Sequence, residues 1–429
     1  MFRKYYLTSI TVLLAISCVF VITVGAQNSD VNYDESKVPK FELPDPLLLL
    51  DGSKVYDAQT WINKRRPEVL QLFEEHVYGK TPDDIIPMGY RISENRNALG
   101  GKAILRQITM TPRNKKDLNI ELLVFLPKNA VKPVPLFVGL NFRGNHAIHP
   151  DPSIKISPVR IADMKRQAKG KKIDIEATRG SAASRWAVDM IIERGYGVAT
   201  IYCGDLDPDY NDGFHDGVHP LFYKDGKTQP APDEWGTIGA WAWGLSRALD
   251  YFITDEDVDH NHVAVMGHSR LGKTSLWAGA QDERFAMVIS NDSGCGGAAL
   301  SRRCFGERVA RINTSFPHWF CDNFQKYNDN ENELPVDQHM LIALMAPRPV
   351  YVASAEDDRW ADPRGEFLSA RSAGRVYRLF ELKGVGTRKM PEVNKPVGGH
   401  IGYHVRTGKH DVTDFDWTQY LNFADKHFK

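Results

Sequence analysis

Two things are scarce in this 429-residue chain: cysteine, with five residues, and net charge, with 54 basic side chains against 54 acidic ones. A balance of zero removes the electrostatic footprint that nucleic acid or an anionic membrane surface would require, so neither is expected as a partner. With so few cysteines, the most that disulfide chemistry offers is a loop clip, for which Cys304 and Cys321 are the near pair; Cys203 and Cys295 are the others beyond the N-terminal segment. Internal repeats, low-complexity tracts and Pro/Gly linkers long enough to separate domains are also missing, which favours one domain. Carboxylates at metal-ligand spacing are lacking around His400 and His404, and the neighbouring glycines oppose the helix such a site would need. No metal or organic cofactor is expected.

The N-terminus has a clear pattern of its own. Arg3 and Lys4 precede an apolar stretch from Leu7 to Val24, and Val24-Gly25-Ala26 supplies small residues before a polar run. This is the layout of a secretory signal peptide over residues 1–26, cut after Ala26. The rival is an uncleaved anchor, because the stretch is nearly long enough to span a bilayer. Cys18 lies inside the apolar run, not at its end, so lipidation ranks last. The expected location is secreted or periplasmic, free of the membrane after cleavage.

Residues 27–429 are then expected to form a single domain, opening with an irregular arm over 27–50. A helix is expected from Ala58 to Val77 and another over Gly239–Phe252. Strands are expected at 103–110, 119–126, 135–141, 196–202, 262–267, 285–290, 348–354 and 376–382. The later strands alternate with helices, which implies a mostly parallel, twisted sheet covered on both faces, a three-layer αβα sandwich. Residues 143–186 and 293–340 interrupt that rhythm as long loop insertions able to build a cleft. The basic cluster Lys165–Lys172 is expected to be a solvated loop.

Ser269 sits in Val263-Ala-Val-Met-Gly-His-Ser-Arg-Leu-Gly-Lys273, an apolar β-branched run that breaks at Gly267 and turns helical after the serine. That is a nucleophile elbow, and it places the chain in the α/β-hydrolase fold. The turn exposes the serine Oγ and leaves the next backbone N–H free for an oxyanion. The second glycine comes at 272, one residue later than in the usual pattern. In this fold an acid and then a histidine follow the serine. His400, in the Gly-rich loop Val397–Gly402, is the expected base. Asp358 follows the strand Pro349–Ala353, Asp292 follows the strand Phe285–Asn291, and either is able to orient the imidazole; Asp357 is a near neighbour. Arg270 and Lys273 add positive charge beside the serine, which suits a substrate rich in oxygens such as a uronate. Trp360 is placed to stack on a sugar and Glu307 to accept its hydroxyls.

At these residues the chain resembles the glucuronoyl esterases of carbohydrate esterase family 15. The resemblance rests on Gly267–Lys273, Asn291–Gly297, Phe305-Gly306-Glu307, Phe316–Phe320, Leu334–His339 and Gly398-Gly399-His400, with Trp61–Gly79 similar too. The family's Gly-x-Ser-Arg-x-Gly-Lys element accounts for the shifted glycine. The resemblance implies hydrolysis of the ester between a 4-O-methylglucuronate branch of glucuronoxylan and a lignin alcohol. Ser269 would be the nucleophile, Arg270 the oxyanion partner and His400 the base, with Lys273, Glu307 and Trp360 holding the uronate. Many relatives carry a glutamate where this chain has Asp292, so the shorter arm turns the expectation toward Asp358, with Asp292 as its partner. A monomer is expected. The rivals are an acetyl-xylan or other carbohydrate esterase, a serine peptidase, and a non-catalytic polysaccharide-binding protein.

Overall fold

The computed structural model describes residues 31–429, so the signal peptide expected over 1–26 lies outside the described residues. Ten strands build one sheet: β1 (Met88–Ala98), β2 (Ala103–Pro112), β3 (Ile120–Pro127), β4 (Val134–Asn141), β5 (Gly197–Tyr202), β6 (Val258–His268), β7 (Met287–Asn291), β8 (Val350–Ala355), β9 (Val397–Gly398) and β10 (Ile401–Arg406). Their order across the sheet is β1-β2-β3-β5-β4-β6-β7-β8-β10-β9. From β5 through β10 every neighbouring pair is parallel, while β1, β2, β3 and β9 join antiparallel at the two edges.

The side-chain alternation of a strand explains the three layers. On β6, Val263 and Val265 face one apolar cluster and Ala264 and Met266 the other; on β8, Val350 and Val352 oppose Tyr351 and Ala353 in the same way. The first cluster takes in helices Thr237–Phe252, Arg270–Gln281 and Pro363–Tyr377, the second Val188–Glu193 and Asp414–Phe428. With both faces apolar, the central strands are continuous hydrophobic runs, which is the α/β-hydrolase sandwich. Residues Asn32–Lys429 cluster as one compact unit. Among the described residues no helix is long and apolar enough to cross a membrane.

Several expectations differ from the structure. The strand expected at 376–382 is instead the end of helix Pro363–Tyr377 and a short turn, Arg378–Phe380; the last parallel strand is β10, formed by Ile401-Gly-Tyr-His-Val-Arg406. β1 was not foreseen because most of it is exposed and polar. Cys304 and Cys321 do not form a clip: both are free, Cys304 Sγ against the Ser301 carbonyl and Cys321 Sγ against the Glu75 carbonyl, on different elements. The basic cluster ends helix Pro158–Ala168 with its lysines exposed, and Arg166 lies 3.7 Å over the Tyr210 ring.

Candidate active site

Parallel strands present their C-terminal ends on one edge of the sheet, and β6, β7, β8 and β10 bring their following loops together there. Ser269 follows β6 directly, at φ 60°, ψ −130°, a strained conformation that lifts its side chain off the sheet. Its backbone N–H donates to the Asn291 carbonyl at 2.9 Å, locking the turn to β7. Gly267 is required because a Cβ there would stand 1.8 Å from the Leu271 carbonyl. At 272 a Cβ would press on Ser293 and on the Asn291 and Gly267 carbonyls at 3.0–3.1 Å, whereas Leu271 points into the core. The helix therefore meets the sheet at 272, which is why the second glycine is displaced. Arg270 is the first residue of helix Arg270–Gln281, so its amide has no intrahelical partner and is the donor that an elbow of this kind offers to an oxyanion.

His400 does not reach this edge. It immediately precedes β10, and its carbonyl accepts from Val350 N–H at 2.9 Å, at the very start of β8. Its own N–H donates to the Lys383 carbonyl at 2.7 Å, and its ring packs 4.9 Å from that of His427. His400 thus occupies the N-terminal edge of the sheet, opposite to Ser269. The histidine that does arrive is His410, in the loop after β10. Its Nδ1 hydrogen-bonds Asp358 Oδ2 at 2.6 Å, and its ring lies 4.4 Å from that of His268, the residue before the serine. Asp358 is buried while the His410 side chain keeps 42% of its surface exposed. The bond at Nδ1 leaves Nε2 outside the pair with Asp358. Asp357, the neighbour of Asp358, is exposed.

Asp292 belongs to the same cluster: one side-chain ligand atom each from Asp292, Asp358 and His410 lie within 4.8 Å of one another. Three such atoms are spaced as metal ligands would be, but Arg406 already supplies a counter-charge, with Nη2 3.4 Å from Asp292 Oδ2. Burial, reinforced by the neighbouring carboxyl groups of Glu366 and Asp358, pushes the Asp292 carboxyl well above the usual range, and Arg406 only partly offsets this. Arg406 also shapes the histidine loop. It donates to Asp416 at 2.7 Å, to the Thr407 carbonyl at 3.1 Å and to the Asp411 carbonyl, while Gly408 accepts from Asp357 N–H at 3.1 Å. His268 is held by Asn291 at 2.7 Å; burial, then the His410 ring, keeps it neutral.

Behind the acids lies Glu366, fully buried. Its Oε1 accepts from Ser293 N–H at 2.9 Å and Gly294 N–H at 3.0 Å, and its Oε2 meets Ser354 Oγ at 2.5 Å, so it braces the turn after β7. Burial raises its pKa to about 8, against hydrogen bonds that lower it. An acid raised in the fold holds its proton where the unfolded chain has lost it. Stability should be full below the unfolded value of 4.5 and fall as pH rises toward about 8. Glu366→Gln, which mimics the protonated form, is expected to flatten the fall in melting temperature between pH 5 and 8; an unchanged slope would assign it to other groups.

The cationic side is equally defined. Arg270 pairs with Asp209 at 3.2 Å, with its guanidinium carbon 5.1 Å from the Phe142 ring and 5.0 Å from that of Trp319. Lys273 is buried, donates to the Ser293 carbonyl at 2.5 Å and stands 4.0 Å from Glu307. Burial lowers the Lys273 pKa and raises that of Glu307, each group partly countering the other. Glu307 N–H donates to the Trp360 carbonyl at 2.9 Å, which ties the two sugar-facing candidates together.

Sequence reasoning missed His410, Asp209, Arg406 and Glu366. For His410 the signal was available: Gly408-Lys409-His410-Asp411 is a polar loop between the apolar run of β10 and the capping box of Thr413 and Asp416.

A family model described as "Glucuronyl esterase, fungi" matches residues 222–381. A carbohydrate esterase from an unknown prokaryotic organism is 55% identical over 405 residues, 94% of this chain and 94% of that protein. A glucuronoyl esterase from Solibacter usitatus, 48% identical, superposes with a TM-score of 0.86 over 92% of this chain and 100% of its own. A promiscuous CE15 esterase from a marine bacterial metagenome, 54% identical, gives 0.83 over the same shares, 92% and 100%. With the elbow, the imidazole–carboxylate pair and this full-length likeness together, the chain belongs to the glucuronoyl esterases of carbohydrate esterase family 15.

Proposed function

We propose that this protein is an exported serine esterase that cleaves the ester between 4-O-methyl-D-glucuronate side chains of glucuronoxylan and lignin alcohols. The observation that carries the reading is the 2.6 Å bond between His410 and Asp358 beside the Ser269 elbow, on the sheet edge where Arg270 and Lys273 also lie. Ser269 Oγ attacks the uronate carbonyl and forms the new C–O bond as His410 Nε2 takes its proton. The Arg270 amide and guanidinium stabilise the oxyanion, and Asp358 stabilises the imidazolium. The C–O bond to the alcohol breaks, and His410 returns the proton to the departing oxygen. Water, deprotonated by His410, then attacks the acyl-enzyme and releases glucuronate and free Ser269.

Lys273, Glu307 and Trp360 take the uronate ring, with Lys273 and Glu307 matched to its hydroxyl and ring oxygens. The apolar stretch Leu7–Val24 supports export. Two cations beside the serine favour a uronate over an acetyl ester. Matched methyl esters of glucuronate and galacturonate, an acetylated xylose and a peptide anilide test this. The glucuronate ester is expected to be preferred in kcat/KM by about tenfold or more; preference for the acetyl ester or the anilide would move the chain to another substrate class. Failure of a serine-directed phosphonate to label the protein would instead support a binding role.

The two acids are separable. Asp358 is bonded to His410, so Asp358→Asn is expected to lower kcat by about 10⁴-fold. Asp292 faces Arg406 and is pushed toward its neutral form, so Asp292→Asn should cost about tenfold or less. The reverse ranking in kcat would make Asp292 the orienting acid.

A further inference from the structure

We infer that Asp209 is a positioning residue for the reaction, holding the Arg270 guanidinium at the oxyanion site. This rests on the role proposed above for Arg270. Arg270 has a long side chain on the first position of a helix, and such a side chain gives up its rotamer freedom when it is fixed in one pose. A donor that must be in place before charge develops is most effective when that freedom has already been given up.

Asp209 has the geometry to fix it. It lies in the loop after β5, and two distant parts of the chain meet on its carboxylate. Oδ2 stands 3.2 Å from Arg270 Nη1 on the helix after the elbow. Oδ1 accepts from Trp319 Nε1 at 2.8 Å and meets His318 Nε2 at 3.4 Å, both in the insertion between β7 and β8. Trp319 stacks on Phe316, with centroids 3.8 Å apart and planes 3° from parallel, and together with Phe142 these rings wall the guanidinium. Arg270 Nε is buried in that slot with no hydrogen-bond partner among the described residues, so Asp209 supplies the carboxylate that determines which way the fork faces. Although burial alone would raise it, His318, Arg270 and Trp319 hold the Asp209 carboxyl below the ordinary range. The Asp209 side chain keeps 29% of its surface exposed, so its replacement does not open a cavity in the core.

The test is a double-mutant cycle on a benzyl glucuronate ester. Asp209→Asn preserves shape and an acceptor for Trp319 but removes the charge that aims Arg270. It is expected to lower kcat by about 10- to 100-fold with KM changed less than about twofold. Arg270→Ala should cost at least as much, and adding Asp209→Asn to it should cost nothing further. Asp209→Glu, which keeps the charge one methylene further out, should fall between wild type and Asp209→Asn, and it serves as the readout if Asp209→Asn does not fold. Melting temperatures of all variants report any general loss of structure. If Arg270→Ala is costly but Asp209→Asn and Asp209→Glu are as fast as wild type, or if the losses are additive, Asp209 is not the positioning residue and the role of Arg270 stands. If Arg270→Ala itself leaves kcat unchanged, the role proposed for Arg270 fails, and this inference with it.

Discussion

Alanine at Ser269 is expected to lower kcat on a glucuronate ester by about 10⁶-fold, the loss seen when a triad nucleophile is removed, while leaving the melting temperature unchanged. The two expectations have different origins. The hydroxyl is the atom that forms the acyl bond, and neither Arg270 nor the backbone amides can replace it. The fold does not depend on it: what holds the elbow is the 2.9 Å backbone bond from Ser269 N–H to the Asn291 carbonyl, the close approach at Gly267 and the packing at Gly272. Alanine keeps the Cβ and so meets the same φ of 60° at the same cost. Single-turnover kinetics on a benzyl ester, together with loss of labelling by a serine-directed phosphonate, check the assignment. A variant that retained even about a hundredth of the activity would require another nucleophile.

How far the sequence leads can be followed along the chain. The elbow is legible because its signal is local: an apolar strand, two glycines and a serine within eleven residues, and β6 with the helix after it match that reading. The alternation of strands and helices likewise points to the covered parallel sheet, since a strand buried on both faces needs no long-range information to be apolar. Asp358 is legible as a carboxylate in the turn after a strand, although its hydrogen bond is to His410 and not to the expected His400. The base fails for a topological reason. Residues 376–382 alternate like a strand but complete helix Pro363–Tyr377, whose buried face continues to Tyr377. Counting them as the last strand puts His400 in the loop after it, whereas β10 begins at Ile401 and His400 precedes it. One strand miscounted moves a residue to the other edge of the sheet. Asp209, Arg406 and Glu366 are invisible for another reason: each acts through partners many residues away, and nothing in the local pattern of a loop aspartate, a strand arginine or a helix glutamate marks that convergence.

The two histidines divide the topology cleanly, and so they give its sharpest test. His410→Ala is expected to lower kcat by about 10⁶-fold, because without the imidazole neither the attack of Ser269 nor the departure of the alcohol has a proton carrier. His400→Ala is expected to leave kcat and KM within about twofold of wild type and to change stability by about 1 kcal/mol or less, since its backbone, not its side chain, makes the bonds to Val350 and Lys383. Both variants should fold: His410 is partly exposed, and its loop is anchored independently by Arg406, by the Gly408 carbonyl and by the Asp411–Arg185 pair at 2.6 Å. Added imidazole should restore part of the activity of His410→Ala, because the vacated space opens to solvent beside Asp358, and it should do nothing for His400→Ala. Full activity in His410→Ala with loss in His400→Ala would require residue 400 to cross from the start of β10 to its end, a full strand length that the 2.9 Å bond from Val350 to the His400 carbonyl forbids.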